Sequence, residues 1–224
     1  VLIEGTVGGY YLNQEGIYTA RVDLNYVNPV IDFLHGPDTT PSTTKAVFGT
    51  VTVHPTEALS ITGGLRYTND RKHFSLMPSW FAAGGYGYPV VGVVDQQGGR
   101  FSGRAGVNWT PQTDFTDQTL MYASYAHGYK AGGANPPGAV LLESGDSQPI
   151  HPLTFKPEYV DAFEVGSKNT LLDGALTLNA SGFYYDYKGY QISQIVDRTS
   201  VNLNFDAHVS GAEVEATWEP VPGL

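Results

Sequence analysis

The sequence predicts an all-β fold, an antiparallel transmembrane β-barrel, and three observations carry that prediction. The first is composition: Tyr 15, Phe 10 and Trp 3 stand beside 27 glycines, with only 15% of residues charged. That mixture suits many strands joined by turns and argues against a helical bundle or a disordered chain. The second is that short and long connections between β-rich runs alternate along the chain. The third is that alternate residues within the runs sort into a thin apolar face and a polar face carrying charges.

Composition also excludes several classes. Net charge is −10, with no basic run, which opposes a nucleic-acid partner on electrostatic grounds. Cysteine is absent, so there is no disulfide framework, thiol nucleophile or thiolate metal site. No run approaches the ~20 apolar residues of a spanning helix, whereas a barrel strand needs only ~9–11 and escapes hydropathy windows. The chain opens at Val1 without a signal peptide, which is expected of a mature form or a fragment.

In chain order, strands are expected at Leu2–Leu12, Thr44–His54, Ala58–Thr68, Arg100–Thr110, Thr119–Lys130, Glu158–Thr170, Ala175–Ile192 and Leu203–Glu219. Short links fall at His54–Glu57, Pro111–Gln118 and Leu171–Gly174, and Pro220–Leu224 reads as another. Long loops are expected at Asn13–Thr43, Asn69–Gly99 and Ala131–Pro157, with a shorter one at Ser193–Asn202. Loops of such length are uncommon in compact domains. Their recurrence at every other connection is the layout of an outer-membrane barrel, with tight turns inside and long loops outside.

The faces follow from a period of two. Phe101, Gly103, Ala105, Val107 and Trp109 are expected to face lipid, opposite Ser102, Arg104, Gly106 and Asn108. Leu59, Ile61, Gly63, Leu65 and Tyr67 alternate with Ser60, Thr62, Gly64, Arg66 and Thr68 in the same way. Ala212, Val214, Ala216 and Trp218 oppose Glu213, Glu215 and Thr217. Phe163 and Val165 oppose Glu164, Gly166 and Lys168, although Asp161 interrupts the apolar row near that strand's outer end. Trp109 and Trp218 fall at the tight-turn end, where an interfacial aromatic belt sits. Half-buried strands of a soluble sandwich alternate too; loop asymmetry and the placement of the aromatic residues favour the membrane.

The stretch Leu120–Gly133, LMYASYAHGYKAGG, is an aromatic strand that runs straight into a lysine and a glycine-rich loop. Together with GGLRYTND (Gly63–Asp70), FSGRAGVNWTP (Phe101–Pro111), the Phe155–Ile192 segment with its KPE opening and VSGAEVEATWEPVPGL (Val209–Leu224), it resembles the barrel region of TonB-dependent receptors. The resemblance implies a barrel of roughly 22 strands around a plug. Against that size the chain is expected to be a fragment supplying about eight strands, residues 1–224 all within the barrel domain and the plug absent. It implies residence in the bacterial outer membrane and import of a scarce nutrient, most often a ferric siderophore. The implied partners are outer-membrane lipid, the ligand, and the TonB complex through the plug region.

No catalytic constellation emerges, so an enzyme is not expected. His35, His54, His73, His127, His151 and His208 lack the close spacing of a metal motif and read as isolated residues, and no cofactor motif leads a strand into a helix. On the receptor reading, Arg66, Arg104, Glu164, Lys168, Glu213 and Glu215 project into the lumen, either to hold the plug through breakable ion pairs or simply to solvate it. Ligand capture falls to the outer loops. Trp80, Phe81, Tyr86, Tyr88, His127, Tyr129 and Lys130 offer aromatic surface and a cation for an anionic metal chelate, although the aromatic girdle alone accounts for Tyr129. Two alternatives stay open: a complete eight-stranded barrel acting as a passive pore or adhesin, and a secreted carbohydrate-binding sandwich.

Overall fold

The computed structural model describes residues 1–23, 33–77, 79–81, 86–88, 92–136, 139–141, 147–149, 151–196 and 199–220. Its elements are β1 (Leu2–Val22), β2 (Phe33–Thr56), β3 (Leu59–Leu76), β4 (Ser79–Phe81), β5 (Tyr86–Tyr88), β6 (Gly92–Trp109) and β7 (Gln118–Lys130). They continue with β8 (Gly133–Ala134), β9 (Ala139–Leu141), β10 (Ser147–Pro149), β11 (Thr154–Phe155), β12 (Glu158–Leu171), β13 (Leu176–Val196) and β14 (Thr199–Trp218). The long strands form one antiparallel meander, β1-β2-β3-β6-β7-β12-β13-β14, each paired with its neighbour in sequence. Among the described residues β1 and β14 do not pair, so the sheet stays open rather than closing as an eight-stranded barrel.

The sheet buries little of itself. Its accessible surface is 14294 Å², against about 10,000 Å² for a compact monomer of this mass. Only Ala46, Leu76, Val94 and Val201 are buried apolar residues among those described, while Val7, Leu65, Phe101, Val165 and Val214 are exposed. A sandwich core of the kind a soluble β-protein needs is not what this face meets.

Register places the faces as the period of two requires. On β3, exposure alternates through Ile61, Gly63, Leu65 and Tyr67, and these pair with Val107, Ala105, Gly103 and Phe101 of β6. The ring centroids of Tyr67 and Phe101 lie 4.9 Å apart, as do those of Tyr125 and Phe163. Tyr184 is the register partner of Phe163. These rings mark one aromatic line; Trp109 and Trp218, opposite Leu59 and Leu176 at the tight-turn end, mark the other. The outward residues between the lines are apolar or small, which is what a hydrocarbon layer demands.

The tight turns are built by hydrogen bonds and left-handed residues. Thr110 N–H donates to Ala58 O at 2.8 Å and Asp117 N–H to Thr170 O at 2.8 Å. Leu172, Asp173 and Gly174 all have positive φ (59°, 55° and 88°), and the Asp117 carboxylate accepts the Gly174 N–H at 3.0 Å. Left-handed Leu is uncommon, so the turn depends on the flanking ladder to hold it.

The long loops differ from expectation. Much of Asn13–Thr43 and Asn69–Gly99 continues the ladder: β1 runs to Val22, β2 starts at Phe33, β3 reaches Leu76 and β6 starts at Gly92. Ser193–Asn202 likewise extends β13 and β14. Polar threonine-rich strand outside a membrane carries no apolar alternation, so its pattern resembles loop. Pro41 is accommodated because it sits where the β2–β3 ladder lapses between Thr39 and Ser42, so its missing N–H costs that ladder no bond. Farther out, the fully buried Asn135 ties a loop to β14. Its amide donates to Pro152 O at 2.9 Å and Asn202 O at 3.0 Å, and its carbonyl accepts the Asn202 N–H at 2.8 Å.

Candidate functional site

The face opposite the exposed apolar rows is polar and carries two charge clusters. The first lies on β3 and β6 toward the long-loop end. Strand period puts Arg66, Thr68, Asp70 and Lys72 in one row on β3, beside Arg100, Ser102 and Arg104 on β6. Arg66 is held by its surroundings: its guanidinium lies 5.4 Å from the Tyr10 ring centroid and 5.6 Å from that of Phe48. Its Nε donates to Thr68 Oγ1 at 2.9 Å.

Asp70 organises the outer end of this row. Its Oδ1 accepts the Thr44 hydroxyl at 2.6 Å and its Oδ2 the Tyr129 hydroxyl at 2.8 Å. Burial, with the Asp70 hydrogen bond next, pushes the Tyr129 phenol up to about 12. Asp70, Lys72, Gln96, Arg100, Tyr129 and Gly132 line a concavity of about 290 Å³. Ser42, Thr44, Arg66, Thr68 and Ser102 line an adjoining hollow that shares Asp70, Lys72 and Tyr129. In a chain of net charge −10, this wall gathers Arg66, Lys72, Arg100 and Arg104 against Asp70 and, at its rim, Asp95. It is a basic, ring-flanked surface suited to an anion.

The second cluster lies on β12, β13 and β14 near the tight turns, and it is acidic. Glu164, Lys168, Glu213 and Glu215 line one hollow with Tyr122 and Asn179. The Tyr122 hydroxyl donates to Glu164 Oε1 at 2.6 Å, and Asn179 Nδ2 to Glu215 Oε2 at 3.3 Å. Tyr122 fits because Gly166 faces it: a Cβ at Gly166 would come within 2.6 Å of the ring. Three carboxylates against one lysine suit a cationic surface.

The expected site residues therefore separate. Arg66 and Arg104 belong to the basic wall, and Glu164, Lys168, Glu213 and Glu215 to the acidic one. Tyr129 lies beyond the last β6–β7 register pair, Gly103 with His127, and its hydroxyl joins the basic wall. Lys130 is exposed opposite Glu158. His127 sits on the outward face, with Nδ1 2.8 Å from Asp161 Oδ1. Trp80, Phe81, Tyr86 and Tyr88 lie in the short strands β4 and β5, where Trp80 opposes Tyr86 and Leu34 in register; their side chains fall outside the described residues. Sequence reasoning missed Asp70, Lys72 and Arg100. The signal was there, since Asp70 and Lys72 continue the parity of Arg66, but it needed β3 to run past Thr68.

Among the described residues no group of histidines and carboxylates is arranged to hold a metal ion. The walls present charged, ring-flanked surface that can bind and exchange charged partners.

Comparison with known proteins agrees with this architecture. Residues 3–222 match the family model described as TonB dependent receptor-like, beta-barrel. The pesticin receptors of Yersinia enterocolitica and Yersinia pestis are 30% identical over 218 residues, covering 93% of this chain and 29% of theirs. The chain thus spans under a third of the length of these curated relatives. Among solved structures, the ferric yersiniabactin uptake receptor FyuA from Yersinia pestis superposes with a TM-score of 0.69 at 21% identity, covering 99% of this chain and 30% of that one. The copper transporter OprC gives 0.61 at 16% identity, over 98% of this chain and 33% of its own.

Proposed function

The chain belongs to the TonB-dependent receptor β-barrel family of the bacterial outer membrane, and from that premise we propose that it forms part of the wall of an active importer. Residues 1–224 are, on this reading, barrel strands of a longer receptor whose plug lies elsewhere in the protein. The substrate is a scarce nutrient bound as an anionic metal chelate, a ferric siderophore being the class that fits. TonB supplies the energy. The receptor works by binding and gated passage, with no covalent chemistry.

The observation that carries the substrate class is the basic wall. Arg66, Lys72 and Arg100 gather around a hollow edged by Tyr10 and Tyr129, although the chain as a whole is strongly acidic. Such a surface attracts a negatively charged ligand and offers rings for its aromatic parts. That one structural neighbour is named as a ferric yersiniabactin receptor supports the same class. The acidic wall near the tight turns would hold a basic surface of the plug until the pull of TonB breaks those pairs.

The test is uptake of radiolabelled ferric siderophores by cells making the full-length protein, with and without TonB. Iron should accumulate for at least one siderophore only when TonB is present. Uptake that persists without TonB, or depends on an uncharged solute of similar size, would overturn the proposal.

A further inference from the structure

Immediately above the aromatic line formed by Tyr125, Phe163 and Tyr184, four adjacent strands place His127, Asp161, Asp186 and His208 side by side on the outward face. Each neighbour is a direct register partner: His127 with Asp161, Asp161 with Asp186, Asp186 with His208. The two histidines flank two carboxylates that face one another across the β12–β13 seam. Like charges directly opposite on a sheet repel. His127 Nδ1 lies 2.8 Å from Asp161 Oδ1, and His208 Nδ1 lies 3.1 Å from Asp186 Oδ1.

Every strand packed on the row contributes to its electrostatics. From β7, Tyr125 donates its hydroxyl to Asp161 at 2.6 Å. From β12, the Tyr159 ring stacks on His127, with centroids 6.0 Å apart. From β13, Lys188 Nζ lies 3.4 Å from Asp186 Oδ1, and from β14 Asp206 Oδ2 lies 3.6 Å from the same Nζ. Tyr125 and His127 hold the Asp161 carboxyl below its usual range, so it stays ionised throughout the histidine range.

The β13–β14 side shows why proton occupancy matters. Tyr184 Oη lies 3.1 Å from His208 Nδ1, the same nitrogen that faces Asp186. Asp186 Oδ1 is buried without an aligned hydrogen bond. A neutral His208 whose Nδ1 accepts the tyrosine hydroxyl brings no charge to that oxygen; an imidazolium brings a positive charge to within 3.1 Å of it. We propose that the row is a proton-responsive clasp. Protonating His127 and His208 joins the outer ends of β7, β12, β13 and β14 through two ion pairs, and neutralising them leaves Asp161 and Asp186 facing each other across the seam with Lys188, 3.4 Å from Asp186, as the one remaining cation in the row. The sign is fixed by the partners: the clasp tightens as pH falls through the ordinary histidine range.

The experiment is amide hydrogen exchange of the full-length receptor in detergent at about pH 6 and about pH 8, either side of the histidine range. Rates are corrected for intrinsic exchange and read at Tyr159–Phe163 and Tyr184–Lys188. Protection there should be roughly threefold to tenfold higher at the lower pH, with β12 below Phe163 unchanged. The His127→Gln/His208→Gln pair should lose that difference. The Asp161→Asn/Asp186→Asn pair should lose it in the opposite sense, with protection at the higher pH rising, because it removes the repulsion; a purely structural role would lower protection instead. Equal protection at both pH values in the unmodified receptor, or a difference that survives in the histidine pair, overturns the proposal.

Discussion

Tyr129 reaches from β7 across β6 to give its hydroxyl to Asp70 of β3, 2.8 Å away. One hydrogen bond thus links strands that share no ladder, at the place where the basic wall opens toward the outer loops. Because the Tyr129 phenol is pushed up from 10.0 to about 12, it favours the folded state fully below pH 10 and ceases to do so as pH rises through about 12. Alkaline unfolding of the receptor in detergent should show a loss on the order of 1 kcal/mol across that window, less than the shift alone implies because solvent screens the part-exposed phenol. Tyr129→Phe should remove that component while leaving any other alkaline transition in place.

The basic wall should behave as a set of additive charges. Arg66→Gln, Lys72→Gln and Arg100→Gln should each weaken binding of an anionic ferric chelate by roughly fivefold, about 1 kcal/mol for a partly exposed charge, and less at high salt. Arg71→Gln, on the outward parity of the same strand, should leave affinity unchanged. Fluorescence titration of the full-length receptor at two ionic strengths checks both statements. Equal effects from Lys72 and Arg71 would show that net charge, not the wall, is responsible.

Asn135 is fully buried and uses both its amide and its carbonyl to fasten a loop to Asn202 and Pro152. Asn135→Leu leaves those backbone groups unpaired, at a cost of about 2–4 kcal/mol locally. Proteolysis of intact cells should then cut between Ala131 and Phe155 faster than in the parent protein, with the β12–β14 meander still resistant.

Gly63 lies midway between the two aromatic lines, and a Cβ there would meet nothing within 4 Å. Gly63→Arg therefore tests the surroundings rather than packing. Insertion of the receptor into lipid vesicles should lose about 2–4 kcal/mol, the cost of a cation at mid-depth. Gly63→Leu should insert at least as well as the parent.

Much of the fold was legible because a membrane imposes a simple rule on a strand: one face apolar, tight turns at one end. Leu59–Tyr67 and Phe101–Trp109 obey it, and the ladder sets their outward residues opposite one another. The rule lapses outside the bilayer. Thr39–Thr43 and Asn69–Leu76 are strand without apolar alternation, so they read as loop, and Asp70 and Lys72 were hidden with them. Asp161 looked like a blemish in an apolar row until His127 and Asp186 appeared beside it, because cross-strand partners cannot be read from one strand.

The most direct test of the account is a single-cysteine scan from Leu59 to Lys72 in the full-length receptor, with any cysteine outside residues 1–224 first replaced, since residues 1–224 contain none. Spin labels would report contact with lipid through dissolved oxygen and with water through a polar nickel reagent. The account predicts oxygen-exposed labels at Leu59, Ile61, Gly63, Leu65 and Tyr67, water-exposed labels at the residues between them, and a ferric siderophore that shields Arg66 and Lys72 but not Leu65 or Arg71. Neighbouring positions that share one environment, or a ligand that shields the odd-numbered side, would contradict it.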